Sequence, residues 1–512
     1  MTSYLLGIDA GTSFVKSVIF DDRGHEIAIA RRATPVVSRF SGGSEIDMAS
    51  AWLLTAETIR EALAQLGGET VAAIGLSGTA CGFWGINAEG RPLRDAILWN
   101  DGRAASIVSA WQADGFFNRI FAVSGNSPFP GYPLPLLCWL REHEPAVLEQ
   151  TRWLLFHKDW LRYQLTGAVA TDISDVGYFP GDIVARGYSP ELLHEAGLGM
   201  MIDKLPPLLD SEAIAGTVTE PAAALTGLRP GTPVVAGAVD VVASLVGGGA
   251  VRAGQACSIL GTSLLNTLVS DVPSFEPAGT GAQASIPGGL WARSFINTAG
   301  TMCIDWMVEQ LAEPERRLAA QVGGSVYEQI EALAQRSLPG AKGLIFLPYL
   351  NTAGIVSPFP DAEARGMFFG LSVDHTRADL LRAIYEGVAL AMRDGFAVSD
   401  RPVDEVLLVG GGARSAFWAQ LFADVTGCRI VIPDGTEFGA RGAALLAGAG
   451  AGVYRSLSEA VEACVRPARV YNPHPERTRI YDLIYPLYRQ LSRAAPESWH
   501  LRASIMRQIE DM

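Results

Sequence analysis

"LLGIDAGTSFVKSVIFDDRG", residues 5–24, decides the fold. Apolar Leu5 to Ile8 end in Asp9. Gly11-Thr12-Ser13 follow, then the largely apolar run Phe14 to Phe20 and the turn-like Asp21-Asp22-Arg23-Gly24. The stretch reads as strand, tight turn, strand. Its turn carries a carboxylate nearby, two hydroxyls and a glycine. Such a turn suits a phosphate and its metal: glycine lets backbone approach closely, N–H groups and hydroxyls face the oxygens, and a carboxylate holds Mg²⁺ through water. Asp9, Gly11, Thr12, Ser13 and Lys16 are the candidates. A plain hairpin with polar turn residues is the competing reading. No G-x-x-x-x-G-K-[ST] occurs, so the P-loop route to phosphate is absent.

Working outward, "HEIAIARRATPV" (25–36) continues the hairpin as a third antiparallel strand. "SEIDMASAWLLTAETIREALAQLG" is a helix, with Asp47 as N-cap, apolar residues at helical spacing and Gly67 to stop it. "VAAIGLS" (71–77) is a short buried strand. A similar pattern recurs: "PVVAGAVD" (233–240) is a strand ending in Asp240, and "ACSILGTSLLNTLVS" (256–270) is a second hairpin with Gly261-Thr262-Ser263 at its bend. "GLIFLPYL" and "DEVLLVGGGARS" supply further strands, and Arg377 to Val398 a long amphipathic helix. Strands alternating with helices point to an α/β protein. The repeated Gly-Thr-Ser hints at two related halves, 1–245 and 246–512, with no low-complexity linker between them.

At 512 residues the chain exceeds one ordinary core. It is 49% hydrophobic and 18% charged, with a net charge of −14, which argues against nucleic-acid or membrane-surface partners. The six cysteines are scattered without a Cys-x-x-Cys pair, so reduced thiols and a cytoplasmic location are expected. No signal peptide is expected. The longest apolar stretch, Val234 to Val251, contains Asp240 and much glycine, which argues against a membrane helix.

Two further motifs bear on chemistry. Asp240, at the end of its apolar strand, reads as a cleft carboxylate able to deprotonate a hydroxyl, or as the N-cap of "VVASLVGGG". "VLLVGGGARSAFWAQLFADVTGCRIVIPD" (406–434) resembles a dinucleotide fingerprint, but Ser415 stands where the third glycine belongs and no second mononucleotide half accompanies it. The same glycines equally let a nucleoside lie against the backbone.

Together these stretches resemble the FGGY carbohydrate kinases. The resemblance rests on "GIDAGTS", "SEIDMASAW", "AAIGLSG", "AILWNDGRA", "WLRYQLTG", "GAVD", "SILGTS", "ARGMFFGLSVDHTRADLLRAIYEG" and "VGGGARSAFWAQLFADVTG". Gly366, Phe368, Gly370, Leu371, Asp379, Leu380, Ala383, Ile384, Tyr385 and Glu386 fit every position of the family's second signature. The resemblance implies a two-domain actin/hexokinase-like (ribonuclease H-like) fold with a ligand cleft between the domains, the second ending in a helical tail. It implies transfer of the γ-phosphoryl of ATP to a sugar hydroxyl, with Mg²⁺. Asp9 would hold Mg²⁺ through water, Asp240 would be the base, and Gly11, Thr12, Ser13, Lys16, Gly261, Thr262 and Ser263 would bind the phosphates. Gly411, Gly412 and Ala413 would lie along the adenosine, and a homodimer is the expected assembly.

Departures bear on the acceptor. Xylulokinases carry Gln-Met-His-Gly where this chain has Gly78-Thr79-Ala80-Cys81-Gly82, so Thr79, Ala80 and Cys81 would form an altered sugar pocket with Asp240. The Arg-Glu of glycerol kinases is missing, and Leu136 replaces the lysine of the first signature. "PLLCWLREHEP" is similar to the L-xylulose and erythritol kinase branches, "ILWNDGRA" to xylulokinase. The resemblance implies a pentulose kinase, with xylulose foremost and erythritol, L-xylulose or ribulose as alternatives. A non-catalytic sugar- or nucleotide-binding relative is the rival reading.

Overall fold

The computed structural model describes residues 3–398 and 402–512. The chain forms two compact units. The first comprises Met1–Ala253, Val269–Arg293 and Asp434–Arg466, the second Gly254–Leu268, Ser294–Pro433 and Pro467–Met512.

In the first unit the opening hairpin is β1 (Tyr4–Ala10) and β2 (Phe14–Phe20), joined antiparallel by β3 (Glu26–Ala33). Helix Met48–Ala64 returns the chain, with the Asp47 carboxylate accepting from Ser50 N at 2.6 Å. The helix ends at Ala64, short of Gly67. Next, β4 (Val71–Gly78) lies parallel to β1, placing Gly7 opposite Gly75 and Asp9 opposite Ser77. The sheet is completed by β5 (Ile214–Thr217), β6 (Pro233–Val235) and β7 (Ala238–Val239), in the order β5-β6-β4-β1-β2-β3 with β7 also beside β4. The apolar stretch around Asp240 is thus two short strands broken at Gly237, then helix Asp240–Gly248. Gly237 is required there: its φ is +84°, and a Cβ would lie 2.2 Å from Leu76 O.

Helix Phe438–Gly450 covers this sheet. It packs on β1 and β4, and helix Asp240–Gly248 packs against it. The contact is backbone on backbone, made possible by glycine: a Cβ on Gly442 would lie 1.8 Å from Ala243 O.

The second unit repeats the wiring. β8 (Gln255–Leu260) and β9 (Leu264–Ser270) form the second hairpin, and β10 (Leu290–Asn297) follows β9. β11 (Glu405–Val409) and β12 (Arg429–Pro433) extend the sheet in parallel from β8, and β13 (Pro467–Tyr471) closes it antiparallel. Each sheet runs from an antiparallel hairpin through two parallel strands to an antiparallel edge; on the hairpin's other side lie β3 in the first sheet, and β10 and then Ala282–Ile286 in the second. The run "GLIFLPYL" lies outside this sheet, as Ile345–Leu347 paired with Met367–Phe369.

Helix Arg377–Phe396 explains the second signature. Asp379 caps its start, accepting from Thr376 N at 2.8 Å and from Ser337 Oγ at 2.6 Å. Two turns further in, Glu386 accepts from Arg382 at 2.7 Å, Tyr481 at 2.7 Å and Gly340 N at 2.9 Å. The signature carboxylates therefore hold a buried helix in place.

Candidate active site

Both Gly-Thr-Ser segments form hairpin bends. Gly11 N donates to Phe14 O at 3.0 Å, and Gly261 N to Ser263 O at 3.0 Å. Each bend is tied to a neighbouring segment, Ser13 O accepting from Thr34 N at 2.9 Å and Thr262 O from Gly300 N at 2.8 Å. Ser13 and Thr262 are exposed, so their hydroxyls face outward rather than into a core. Trp99 Nε1 donates to Thr12 Oγ1 at 2.7 Å.

The first unit gathers its carboxylates where β1, β4 and β7 end. Asp9 is half-buried and accepts from Ser77 Oγ at 3.2 Å. Gly439, in the first turn of helix Phe438–Gly450, lies so close that a Cβ there would be 2.9 Å from the Asp9 carboxyl carbon. Burial raises the Asp9 pKa; Lys16 and the Ser77 bond oppose this, while Glu437 adds to it. Lys16, opposite Asp9 on β2, pairs with Glu437 at 2.6 Å.

Asp240 is the first residue of its helix, and Val241 N donates to its Oδ1 at 2.7 Å. The N-cap reading is corrected: Val239 is the N-cap, with no side-chain cap bond, and Asp240 is the first helical residue. It is half-buried, and burial, reinforced by the charge of Asp9, pushes its pKa up to about 7. Thr79, Ala80 and Cys81 follow β4, with Thr79 N donating to Ala10 O at 3.2 Å. Thr79 and Ala80 are half-buried, while Cys81 is buried in the left-handed region at φ +71°. Burial, with Asp175 and Asp240 nearby, raises the Cys81 thiol well above its usual range. That environment favours the neutral S–H form over the thiolate.

The second unit holds a cavity of about 710 Å³, lined by Gly411, Gly412, Ser415, Tyr327, Tyr385 and Trp418 among others. The three glycines of the turn after β11, Gly410 to Gly412, differ. A Cβ on Gly410 would lie 2.6 Å from Leu260 O and one on Gly412 2.4 Å from the Leu260 side chain, whereas Gly411 has open space. Ala413 is buried in the core and does not line the cavity. Ser415, where a fingerprint would have glycine, caps helix Ala416–Thr426 by accepting from Trp418 N at 2.9 Å. The opposite wall was not legible in sequence: Tyr327 donates to Asp305 at 2.9 Å, and Glu331 bonds Ser415. Those residues lie on short helices whose polar positions read as solvated faces.

Residues 4–247 match the N-terminal domain of the FGGY family of carbohydrate kinases, and residues 256–451 its C-terminal domain. The chain belongs to the FGGY family of carbohydrate kinases. It is 33% identical over 516 residues to the L-xylulose/3-keto-L-gulonate kinase of Escherichia coli (strain K12), covering 98% of this chain and 99% of that one. It is 34% identical over 463 residues to the xylulose kinase of the same organism, covering 89% and 91%. The crystal structure of xylulose kinase from Rhodospirillum rubrum matches with a TM-score of 0.87 at 28% identity, covering 97% of this chain and 100% of that one. The enzyme is therefore a sugar kinase, and the actin/hexokinase-like reading of the fold holds. Among the described residues of this FGGY kinase, no helix is long and apolar enough to cross a membrane.

Proposed function

We propose that this kinase transfers the γ-phosphoryl of ATP to a hydroxyl of a pentulose, xylulose foremost, with Asp240 as general base. The observation that carries the reading is Asp240 itself: a half-buried carboxylate pushed up to about 7, held by Val241 N–H at the start of a helix. A base poised near the working pH both stays largely ionised and accepts a proton readily. It would orient the acceptor hydroxyl and take its proton as the phosphoryl moves. Phosphoryl transfer asks for positioning and charge neutralisation more than for covalent participation by the protein.

The residues present fit ATP and Mg²⁺. Gly411 leaves backbone open to a nucleoside beside Gly412, and Tyr385 with Trp418 offers aromatic surface. The two Gly-Thr-Ser bends, with Lys16, offer hydroxyl, N–H and ammonium donors to phosphates. Among the described residues no cluster of three or more His, Cys, Asp or Glu could hold a metal ion. Mg²⁺ keeps most of its waters and takes one or two carboxylates, here Asp9. Bound there, the cation would neutralise charge on the phosphates and relieve the repulsion between Asp9 and Asp240.

Thr79, Ala80 and Cys81 are proposed to line the acceptor side with Asp240. The first half of the chain, 1–245, would carry the acceptor and first phosphate loop, and the second, 246–512, the adenosine. Small groups in place of a histidine remove one polar reader of the sugar, and hydroxyl selectivity rests chiefly on such paired polar groups. At least one of L-xylulose, ribulose or erythritol should then be phosphorylated within about tenfold of D-xylulose, about 1.4 kcal/mol in transition-state binding. ADP release from MgATP across these acceptors and glycerol tests the reading. Turnover independent of any acceptor, or confined to glycerol, overturns it.

A further inference from the structure

The backbone that delivers Asp240 is held at several points by buried polar groups. Arg162 Nη1 donates to Ala236 O at 2.8 Å, Gly237 N donates to Ser211 O at 2.9 Å, and Val239 N donates to the Ser174 hydroxyl at 2.9 Å. Ser174 Oγ in turn donates to Asp172 Oδ1 at 3.0 Å, and Ser211 Oγ to Asp172 Oδ2 at 2.5 Å. Behind Asp172 stands Lys158, whose Nζ lies 2.9 Å from Asp172, 2.8 Å from Asp159 and 2.6 Å from Asp175. Arg162 joins Asp159 at 3.0 Å. Every side chain in this cluster is buried. Burial alone would strip the Lys158 charge; Asp159, Asp172 and Asp175 overcome it and keep the ammonium charged, while burial, with Asp172 and Asp159 beside it, pushes Asp175 itself up to about 8.

We propose that Ser174 is a positioning residue for phosphoryl transfer: anchored on Asp172 and Lys158, its hydroxyl fixes the Val239 N–H and so aims the Asp240 carboxylate at the acceptor hydroxyl. The proposal rests on Asp240 being the base. Val239 is buried, and its N–H donates to the Ser174 hydroxyl, so the hydroxyl sets the tilt of the Ala238–Val239 peptide, the unit just before the one that carries Asp240. A base must stand within hydrogen-bond reach of the proton it takes, and a displacement of about 1 Å costs on the order of a hundredfold in rate. An apolar residue could fill the space but could not hold that peptide. The ion pairs of this buried cluster favour one geometry, because breaking them leaves charges unpaired at high cost, although Arg162 Nε and Asp175 Oδ1 find no hydrogen-bond partner within it.

The test is Ser174→Ala, assayed with MgATP and the best acceptor among D-xylulose, L-xylulose, ribulose and erythritol, over pH. The groups facing Asp240 are Asp9, Cys81 and Tyr178, none of them altered by the substitution. The expected result is a kcat lowered about ten- to a hundredfold, with the KM for ATP little changed. The acid limb of the profile should also move to lower pH, because a loosened Asp240 carboxylate gains water. A kcat at the parental level, or a lowered kcat with the limb unmoved, overturns the proposal, since lost folded protein lowers the plateau without shifting the limb. Should Ser174→Ala fail to fold, Ser211→Ala loosens Asp172 from its other side and must show the same two changes, smaller; parental behaviour there overturns the proposal. Asp240→Asn, run in parallel, separates the two ideas. If it stays active, the base assignment fails; if it is inactive while Ser174→Ala is parental, only the positioning role fails.

Discussion

Gly7 lies so close to Ala440 that a Cβ on the glycine would stand 1.9 Å from the Ala440 carbonyl oxygen. Gly75, its partner in the parallel pair β1–β4, meets Ala443 O at the same 1.9 Å. Helix Phe438–Gly450 therefore rests on the backbone of the strand that carries Asp9, with no side chain between. Backbone cannot rotate aside, so Gly7→Ala, Gly75→Ala or Gly442→Ala should each destabilise the fold by about 3 kcal/mol or more, the upper end of overpacking costs. Thermal unfolding monitored by circular dichroism checks this; a midpoint equal to the parent would mean that the helix can lift from the sheet at little cost.

The pH profile should carry the signature of Asp240. Its pKa is raised to about 7, so the ionised, active form is lost as pH falls through that value, and kcat/KM should drop tenfold per pH unit below it. Stability runs the other way. A carboxyl that prefers to be neutral when folded stabilises the fold most below its ordinary pKa of 3.8, and that contribution is lost as pH rises towards about 7. Asp240→Asn should remove this dependence, keep the fold and ATP binding, and lower kcat by about a thousandfold. Near-parental turnover in that variant would take the base role from Asp240.

The glycines of the second unit should separate by function. Gly412→Ala drives a methyl into Leu260 and should lower the unfolding temperature. Gly411→Ala meets open space, so stability should hold while the methyl intrudes on the cavity and raises the KM for ATP several-fold. Paired melting curves and ATP titrations read this out; equal loss of stability in both variants would mean that Gly411 serves packing alone.

Thr12→Val and Thr262→Val remove a hydroxyl from each bend without changing its size. Each should weaken MgATP use about tenfold, the worth of about one hydrogen bond to a charged group, and leave acceptor binding in the absence of nucleotide unchanged. Isothermal titration with acceptor alone is the control. A parallel loss there would make the bends structural.

Much of this enzyme is written locally. Leu5 to Ile8 followed by Asp9 and Gly11-Thr12-Ser13 dictates a hairpin whatever surrounds it, and the same logic sets the Gly261-Thr262-Ser263 bend. Alternating apolar runs and turn residues likewise determine the strand–helix–strand segment 405–433, because period and turn chemistry act over a few residues. Which surfaces meet is decided only in three dimensions. Lys16 and Glu437 stand 421 residues apart, and nothing near either announces the pair. Residues 434–466 pack with the first unit although they follow β12 of the second, because Gly7 of β1 and Gly75 of β4 admit the backbone of helix Phe438–Gly450. The Lys158 cluster is equally silent in sequence, where Lys158, Asp159, Asp172 and Asp175 look like ordinary charged positions. A charge reads as solvated until tertiary packing buries it, and only that packing brings three carboxylates to one ammonium and makes the burial tolerable.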